Sequence, residues 1–443
     1  MNAPQAGLLK ALGVAFGVAV IVGNTIGVGI LRTPGTIASL LPDARWFIGV
    51  WLIGGLYALL GSLAYAELGA MTPRSGGAYV FTLRAFGGYP AFVVGWTDWL
   101  GSSGSLAAAA MTIGVFSGEL YPALAGKEGI VAAVIVLAYL ALQAVGVKAA
   151  DWTQQVLSLV KTLVLVALIV VCFTAPGTPA AGPAGGVSPS ITAGAVVLAL
   201  QGVIFTYDGW NGMGYFAGEV KDPGRAIPRA MAGGVLLVLA VYLLLNLAFL
   251  HVLPLERMAN ETLVAGTAAS VVLGPVGERV VRVIMIISLL AQTNALLMIS
   301  SRVPYAMAED RLVPRVLSAV NRGGAPMPAL VASAVFAMFL LLTRTFNSVL
   351  AVLAFYFVIG YLASFTSLLI LRRREPDAPR PYRMMGYPII PILLVLGATA
   401  FLIGSLVSDT GNAVYALGLL VVSSPVYLIV RRARAAHAAP ALR

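Results

Sequence analysis

Long apolar runs separated by short polar connections recur from one end of this 443-residue chain to the other. The runs are continuous, with no alternation at every second residue, which is the pattern of helices crossing a bilayer rather than of an outer-membrane barrel. A bilayer core takes about 20 apolar residues per helix. Spans are predicted at roughly 12–40, 47–71, 87–117, 128–147, 152–174, 189–218, 229–252, 280–307, 327–343, 348–371, 387–407 and 412–430. Lipid allows only helices or closed barrels to satisfy the backbone. The predicted class is therefore an all-α polytopic membrane protein of about twelve helices, forming a single transmembrane domain over 1–443. The Gly/Pro-rich stretch 175–188 is expected to be an external loop. The stretch 253–277, with Glu256, Arg257 and Glu261, is expected to form a short helix on the outer face or a moving gate.

Composition agrees with this reading. Hydrophobic residues make up 60% of the chain and charged ones 10%, with a mean hydropathy of +0.94, whereas a soluble domain carries roughly 25% charged residues. The net charge of +11 raises the question of nucleic acid, and its placement answers it. With the N-terminus in the cytoplasm, about 20 of the 28 Lys and Arg fall on the cytoplasmic side and about 6 outside. The basic excess thus reads as the topology of a multi-pass inner-membrane protein with both termini cytoplasmic, and no nucleic-acid partner is expected. Arg372, Arg373, Arg374, Arg380 and Arg383, and beyond the last span Arg431, Arg432 and Arg434, are expected to contact anionic membrane lipid. The first apolar run continues past Gly29 without a cleavage site, so it is expected to stay in the mature protein.

Chemistry-bearing residues are sparse. The single Cys172 supports neither a disulfide framework nor a thiol cluster, and His251 and His437 have no companion at ligand spacing. No metal or other cofactor is expected, and without a nucleophile–base pair the chain does not read as an enzyme. A channel would want rings of charge or repeated filter loops.

Two spans differ from the rest. The first contains Gly23-Asn24-Thr25-Ile26-Gly27-Val28-Gly29 and the sixth Tyr207-Asp208-Gly209-Trp210-Asn211-Gly212-Met213-Gly214. Each interior glycine costs about 1 kcal/mol relative to alanine, so both helices are expected to break, although small residues also serve close helix packing. The clusters stand roughly 180 residues and five spans apart, and an odd number of spans reverses direction, the mark of an inverted repeat. The repeats are placed at about 12–174 and 189–371, with extra helices at about 387–430. A helix broken inside the membrane offers unpaired N–H groups at one new end and unpaired carbonyls at the other. Opposed ends of this kind match the carboxylate and ammonium of an α-amino acid, and Gly27 and Gly29 let the carboxylate reach the backbone.

Ionisable residues within spans are functional by default, and four need weighing: Glu67, Asp98, Lys161 and Asp208. Glu67 and Asp98 lie toward helix ends, where a basic residue such as Arg74 could pair with them. Asp208 sits in the sixth-span break, either capping N–H groups of the second half-helix or reading a cationic side chain. Lys161 lies in an uncharged run, about ten residues and ~15 Å from Asp151, too deep to snorkel out. Its acceptors are expected among the carbonyls of the first break, near Ile21 to Asn24.

These segments resemble the amino acid–polyamine–organocation transporter superfamily, and within it bacterial members of the L-type amino acid transporter family. The similarity is carried by Gly27-Val28-Gly29-Ile30, by Tyr65-Ala66-Glu67-Leu68-Gly69 leading to Pro73-Arg74-Ser75-Gly76-Gly77-Ala78-Tyr79, and by Phe205-Thr206-Tyr207-Asp208-Gly209-Trp210-Asn211. It continues through Asp222-Pro223, Ile227-Pro228-Arg229-Ala230, Arg380-Pro381-Tyr382-Arg383 and Tyr387-Pro388. The resemblance implies a LeuT-type fold of two inverted five-helix repeats plus two helices. It also implies that N–H groups of Val28 and Gly29 hold the substrate carboxylate, and that carbonyls of Thr25, Ile26, Phe205 and Asp208 hold the ammonium. Gly27 and Tyr207 complete that set, Phe205 closes over it as a gate, and Lys161 sits beside the first break where sodium-coupled relatives bind a cation. Val28 replaces a common small hydroxyl residue and Ala78 a common acid. Residues 117–128 contain no Cys, so no disulfide-linked heavy chain is expected. The implied activity is sodium-independent exchange of L-amino acids, mainly neutral ones, by alternating access. Proton symport and carriage of cationic amino acids or polyamines are the alternatives.

Overall fold

A computed structural model describes residues 7–177, 191–343, 346–408 and 410–438. The first span is a bent pair, α1 (Val14–Thr25) and α2 (Gly29–Leu40), turned by 49° at Ile26–Val28. It is followed by α3 (Ala44–Met71), α4 (Ala78–Phe86), α5 (Gly88–Leu120), α6 (Glu128–Val145) and α7 (Val147–Thr174). The second half holds α8 (Ala193–Thr206), α9 (Pro223–Val252), α10 (Leu255–Ala259), α11 (Val264–Leu273), α12 (Gly277–Glu309), α13 (Met327–Thr343) and α14 (Phe346–Arg374). The chain closes with α15 (Ile389–Ser408) and α16 (Thr410–Ala438). Among the described residues seven helical stretches are long and apolar enough to cross a membrane, and the α1–α2 pair makes an eighth. The shorter apolar helices α8, α13, α15 and α16 fall at the remaining expected spans. The chain is an all-helical multi-pass membrane protein.

Three departures from the expected pattern have local causes. The sixth span is α-helical only to Thr206 and continues as 3₁₀ turns over Gly212–Glu219. Residues 78–86, expected as a connection, form α4, bounded by Gly77 at φ +59° and Gly87 at φ +85°. The stretch 253–277 forms two helices, α10 and α11, packed against α2. Residues 178–188 of the expected external loop and the first two residues of the expected sixth span lie outside the described residues, as do the side chains of Arg431, Arg432, Arg434 and His437.

Burial follows the sequence periodicity. Along α7, Leu159, Leu163, Val166 and Val170 are exposed, while Gln154, Ser158, Lys161, Leu165 and Cys172 are buried. Spacings of three and four keep that second set on one face, and the face lies against α1, α9 and α12.

The end of the molecule that carries the N-terminal segment is closed by polar bonds. Leu12 is fully buried; its amide donates to the Glu219 carbonyl at 3.0 Å and its carbonyl accepts from Lys221 at 3.2 Å. Arg302 grips Glu219 through Nε and Nη2 at 3.1 and 3.0 Å, with both side chains buried. Such a fork satisfies the geometry that a buried pair needs. Arg74 and the Tyr79 hydroxyl both reach Asp310 at 2.9 Å. Glu67 is not paired with Arg74, because Arg372 holds it at 2.8 and 2.5 Å and the Met384 amide donates to it at 2.8 Å. The arginines expected on lipid are partly taken up by the protein as well. Besides Arg372, Arg374 bonds the Ala85 carbonyl at 3.1 Å and Arg380 the Leu371 carbonyl at 3.0 Å.

Candidate functional site

The two breaks meet. Gly209, at φ +106°, places its Cα so close to the first break that a Cβ there would stand 2.9 Å from both Asn24 Nδ2 and the Thr25 amide. A side chain at 209 would therefore push the broken spans apart.

Where they meet, a cavity of about 230 Å³ opens among Asn24, Thr25, Gly27, Val28 and Gly29 of the first span and Phe205, Thr206, Asp208 and Asn211 of the sixth. Polar groups of α5 (Ser102, Ser105, Thr112) and α12 (Gln292) complete the wall. The N-terminus of α2 and the C-terminus of α8 both border it, so unpaired amides stand on one side and carbonyls on the other. Gly29 is a tight position, since a Cβ there would lie 3.2 Å from Thr206 Cγ2.

Behind the first break lies Lys161, fully buried. Its Nζ donates to the Gly23 carbonyl at 2.9 Å and to the Ile26 carbonyl at 2.5 Å. The approach is possible because residue 23 is glycine. A Cβ there would stand 1.9 Å from Gln154 Nε2, in the polar face that α7 presents to α1. Gln154 and Ser158 on that face both donate to the Ala19 carbonyl, at 3.2 and 2.7 Å. Among the described residues no carboxylate pairs with Lys161; its hydrogen-bond partners are these two backbone carbonyls.

The expected site residues divide into two groups. Thr25, Gly27, Val28, Gly29, Phe205 and Asp208 line the cavity, whereas Ile26 and Tyr207 do not. Ile26 is fully buried with its carbonyl on Lys161, so that oxygen serves the lysine and not the cavity. Lys161 also reaches one residue group beyond the expected Ile21–Asn24 stretch. Tyr207 turns away to donate to the Trp51 carbonyl at 3.1 Å. Phe205 is 47% exposed, so it borders the cavity without closing it.

Asp208 does not cap the second half of its span. Its carboxylate receives the Tyr361 hydroxyl, and the 3₁₀ run starts at Gly212, after Asn211, with no side-chain cap. Asp98 is buried beneath the cavity, where Oδ1 accepts from Tyr215 at 2.9 Å and from Ser102 at 3.4 Å.

Two residues escaped the sequence reading. Tyr242 of α9 places its hydroxyl between the breaks, 2.9 Å from the Thr25 carbonyl and 3.1 Å from the Thr206 carbonyl. Gln292 of α12 donates to the Asn24 carbonyl at 3.2 Å. A tyrosine inside an apolar run signals a hydroxyl in search of an acceptor, but nothing in the sequence says which one.

Comparison with known proteins bears directly on this geometry. The chain is 29% identical to the serine/threonine exchanger SteT of Bacillus subtilis (strain 168), covering 98% of this chain and all of that protein. It is 27% identical to the mouse b(0,+)-type amino acid transporter 1 over 91% of this chain and 84% of the relative. It is 28% identical to the mouse large neutral amino acids transporter small subunit 2 over 95% of this chain and 81% of the relative. All three are transporters, not enzymes. A match over residues 7–424 shows that the chain belongs to the amino acid permease family.

Proposed function

We propose that the chain carries L-amino acids across a bacterial inner membrane by alternating access, in exchange and without sodium, taking mainly neutral substrates. The observation that carries this reading is the opposition of two helix ends across one cavity, amides at Gly27 to Gly29 and carbonyls at Phe205 and Thr206. A zwitterion fits that polarity without a charged side chain at either pole. The two halves read as inverted repeats whose opening spans both break. The Ile26 carbonyl is taken up by the Lys161 ammonium, so the substrate ammonium falls to the remaining lone pairs of the Thr25, Phe205 and Thr206 carbonyls, which each accept a neutral donor, the Tyr242 hydroxyl or the Asp208 amide.

Lys161 supports independence from sodium. Two carbonyls at the first break accept from its ammonium, the service a bound cation would otherwise perform, and this cation is tethered. Exchange follows if the lysine keeps its proton through the cycle. The polar closure of one end, with Phe205 half-exposed at the border of the cavity, fits a carrier open on a single side.

A second substrate class has its own support. Asp208 lines the cavity, and among the described residues no ion pair neutralises it, which favours the side chains of lysine or arginine.

The test is competition in proteoliposomes. Amino-acid amides and decarboxylated amines should compete poorly with the parent amino acid, because each lacks the carboxylate that the α2 amides hold. Strong competition by the amines would overturn the zwitterion site and point to a polyamine carrier.

A further inference from the structure

A second cavity, of about 430 Å³, borders the first span between α2, which contributes Arg32, Thr33, Gly35, Thr36 and Ser39, and the stretch from Ala259, the last residue of α10, to Thr262. We propose that this is a second amino acid site, a vestibule that receives the substrate before it enters the central cavity; the proposal rests on the reading of the chain as an amino acid carrier.

The first support is charge. Arg32 stands on one wall and Glu261 on the other. They are not within ion-pairing distance of each other, and neither has an ion-pair or side-chain hydrogen-bond partner among the described residues. Two charges of opposite sign without a protein partner, facing each other across a gap, match the two poles of a zwitterion. The guanidinium fork of Arg32 takes a carboxylate with two parallel bonds, and Glu261 takes the ammonium with help from Thr36 and Thr262.

The second support is a fixed wall. A Cβ on Gly35 would stand 2.2 Å from the Glu261 carbonyl oxygen, so the backbone that carries Glu261 lies directly against α2. The gap between the charges is set by packing rather than by a swinging loop.

The third support is continuity. Arg32 lies about one helical turn beyond Gly29. Thr33 of the vestibule accepts from the Thr206 hydroxyl at 3.1 Å, and Thr206 lines the central cavity. A hydrogen-bonded pair of threonines thus joins the walls of the two chambers.

Both charges are open to water and each is weak, so the site concentrates substrate at the mouth and does not hold it. The expected signature is a change in KM at constant maximal rate. Equilibrium binding of tritiated L-serine, L-leucine and L-arginine to the purified wild-type protein should show, for the accepted substrate, a tight class and a weak class. Arg32→Gln and Glu261→Gln should each remove the weak class, keep the tight one, and raise KM about threefold to tenfold. The charge swap Arg32→Glu with Glu261→Arg should restore the weak class, which a misfolded loop could not do. One class in the wild type, or an unchanged KM in both single variants, would overturn the vestibule while leaving the central site intact. No saturable binding of any amino acid to the wild type would instead overturn the carrier reading, and the vestibule with it.

Discussion

The two broken spans solve one problem by different means. At the first break the helix stops and restarts with a bend of 49°, and the freed Gly23 and Ile26 carbonyls are met by a charged amine from another helix. At the sixth the backbone bonds mainly to itself, apart from the Thr206 carbonyl, which takes the Tyr242 hydroxyl. The Asp208 amide donates to Phe205 at 3.1 Å, Gly212 to Gly209 at 3.1 Å and Gly214 to Asn211 at 2.9 Å, so the interruption is a tightened 3₁₀ winding. Its surroundings are aromatic: Trp210 lies 4.7 Å from Tyr361 and stacks on Phe365 at 6.2 Å between ring centres. The first break depends on a charged partner that can be deleted in one substitution, and the sixth is wound mainly on its own backbone. Removing the Lys161 charge should therefore damage the first break far more than removing the Asp208 charge damages the sixth.

The largest effect is expected at Lys161. Lys161→Ala leaves two buried carbonyls without their donor, at about 1–3 kcal/mol each, so uptake should fall about a hundredfold. The purified variant should remain a single symmetric species on size exclusion. Next comes Gly29→Val. The added side chain meets Thr206 Cγ2 at 3.2 Å from its Cβ and covers the α2 amides, so substrate binding should fall more than about tenfold in a saturation assay.

Asp208→Asn separates the two substrate classes. The amide still accepts from Tyr361, so uptake of neutral amino acids should stay within about threefold of wild type, while any arginine uptake should drop about tenfold. If the wild type carries no lysine or arginine, the cation-reading role of Asp208 is retired. An effect between those two losses is expected for Tyr242→Phe, which removes one hydroxyl shared by the Thr25 and Thr206 carbonyls. A loss of about 1 kcal/mol, or about fivefold in transport, is expected. A greater loss there than at Lys161 would reverse the order of the two breaks.

How much of this could be read from the sequence depends on the range of the interaction. The spans and both glycine clusters were legible because hydropathy and helix weakness are local properties. The depth of Lys161 was legible for the same reason, and its acceptor Gly23 fell within the expected stretch. What escaped is long-range. Ile26 was expected to face the cavity and instead serves Lys161, because the direction of a carbonyl is set by the bend and not by residue type. Glu67 was assigned a neighbour in sequence, Arg74, and found Arg372, far along the chain. The polar face Gln154, Ser158 and Lys161 was visible as a pattern with spacings of four and three, and it could have been used to place α7 against α1. The 3₁₀ winding after Asn211 has no sequence signal of its own.

The central claim is that a tethered ammonium does the work of a bound cation at the first break. Its most direct test is uptake into proteoliposomes with all sodium replaced by choline, for the wild type and for Lys161→Met, which keeps the bulk of the side chain without its charge. Wild-type uptake should be the same in both media, and Lys161→Met should be severely reduced in both. Wild-type uptake that disappears in choline, or undiminished uptake by Lys161→Met, would contradict the account.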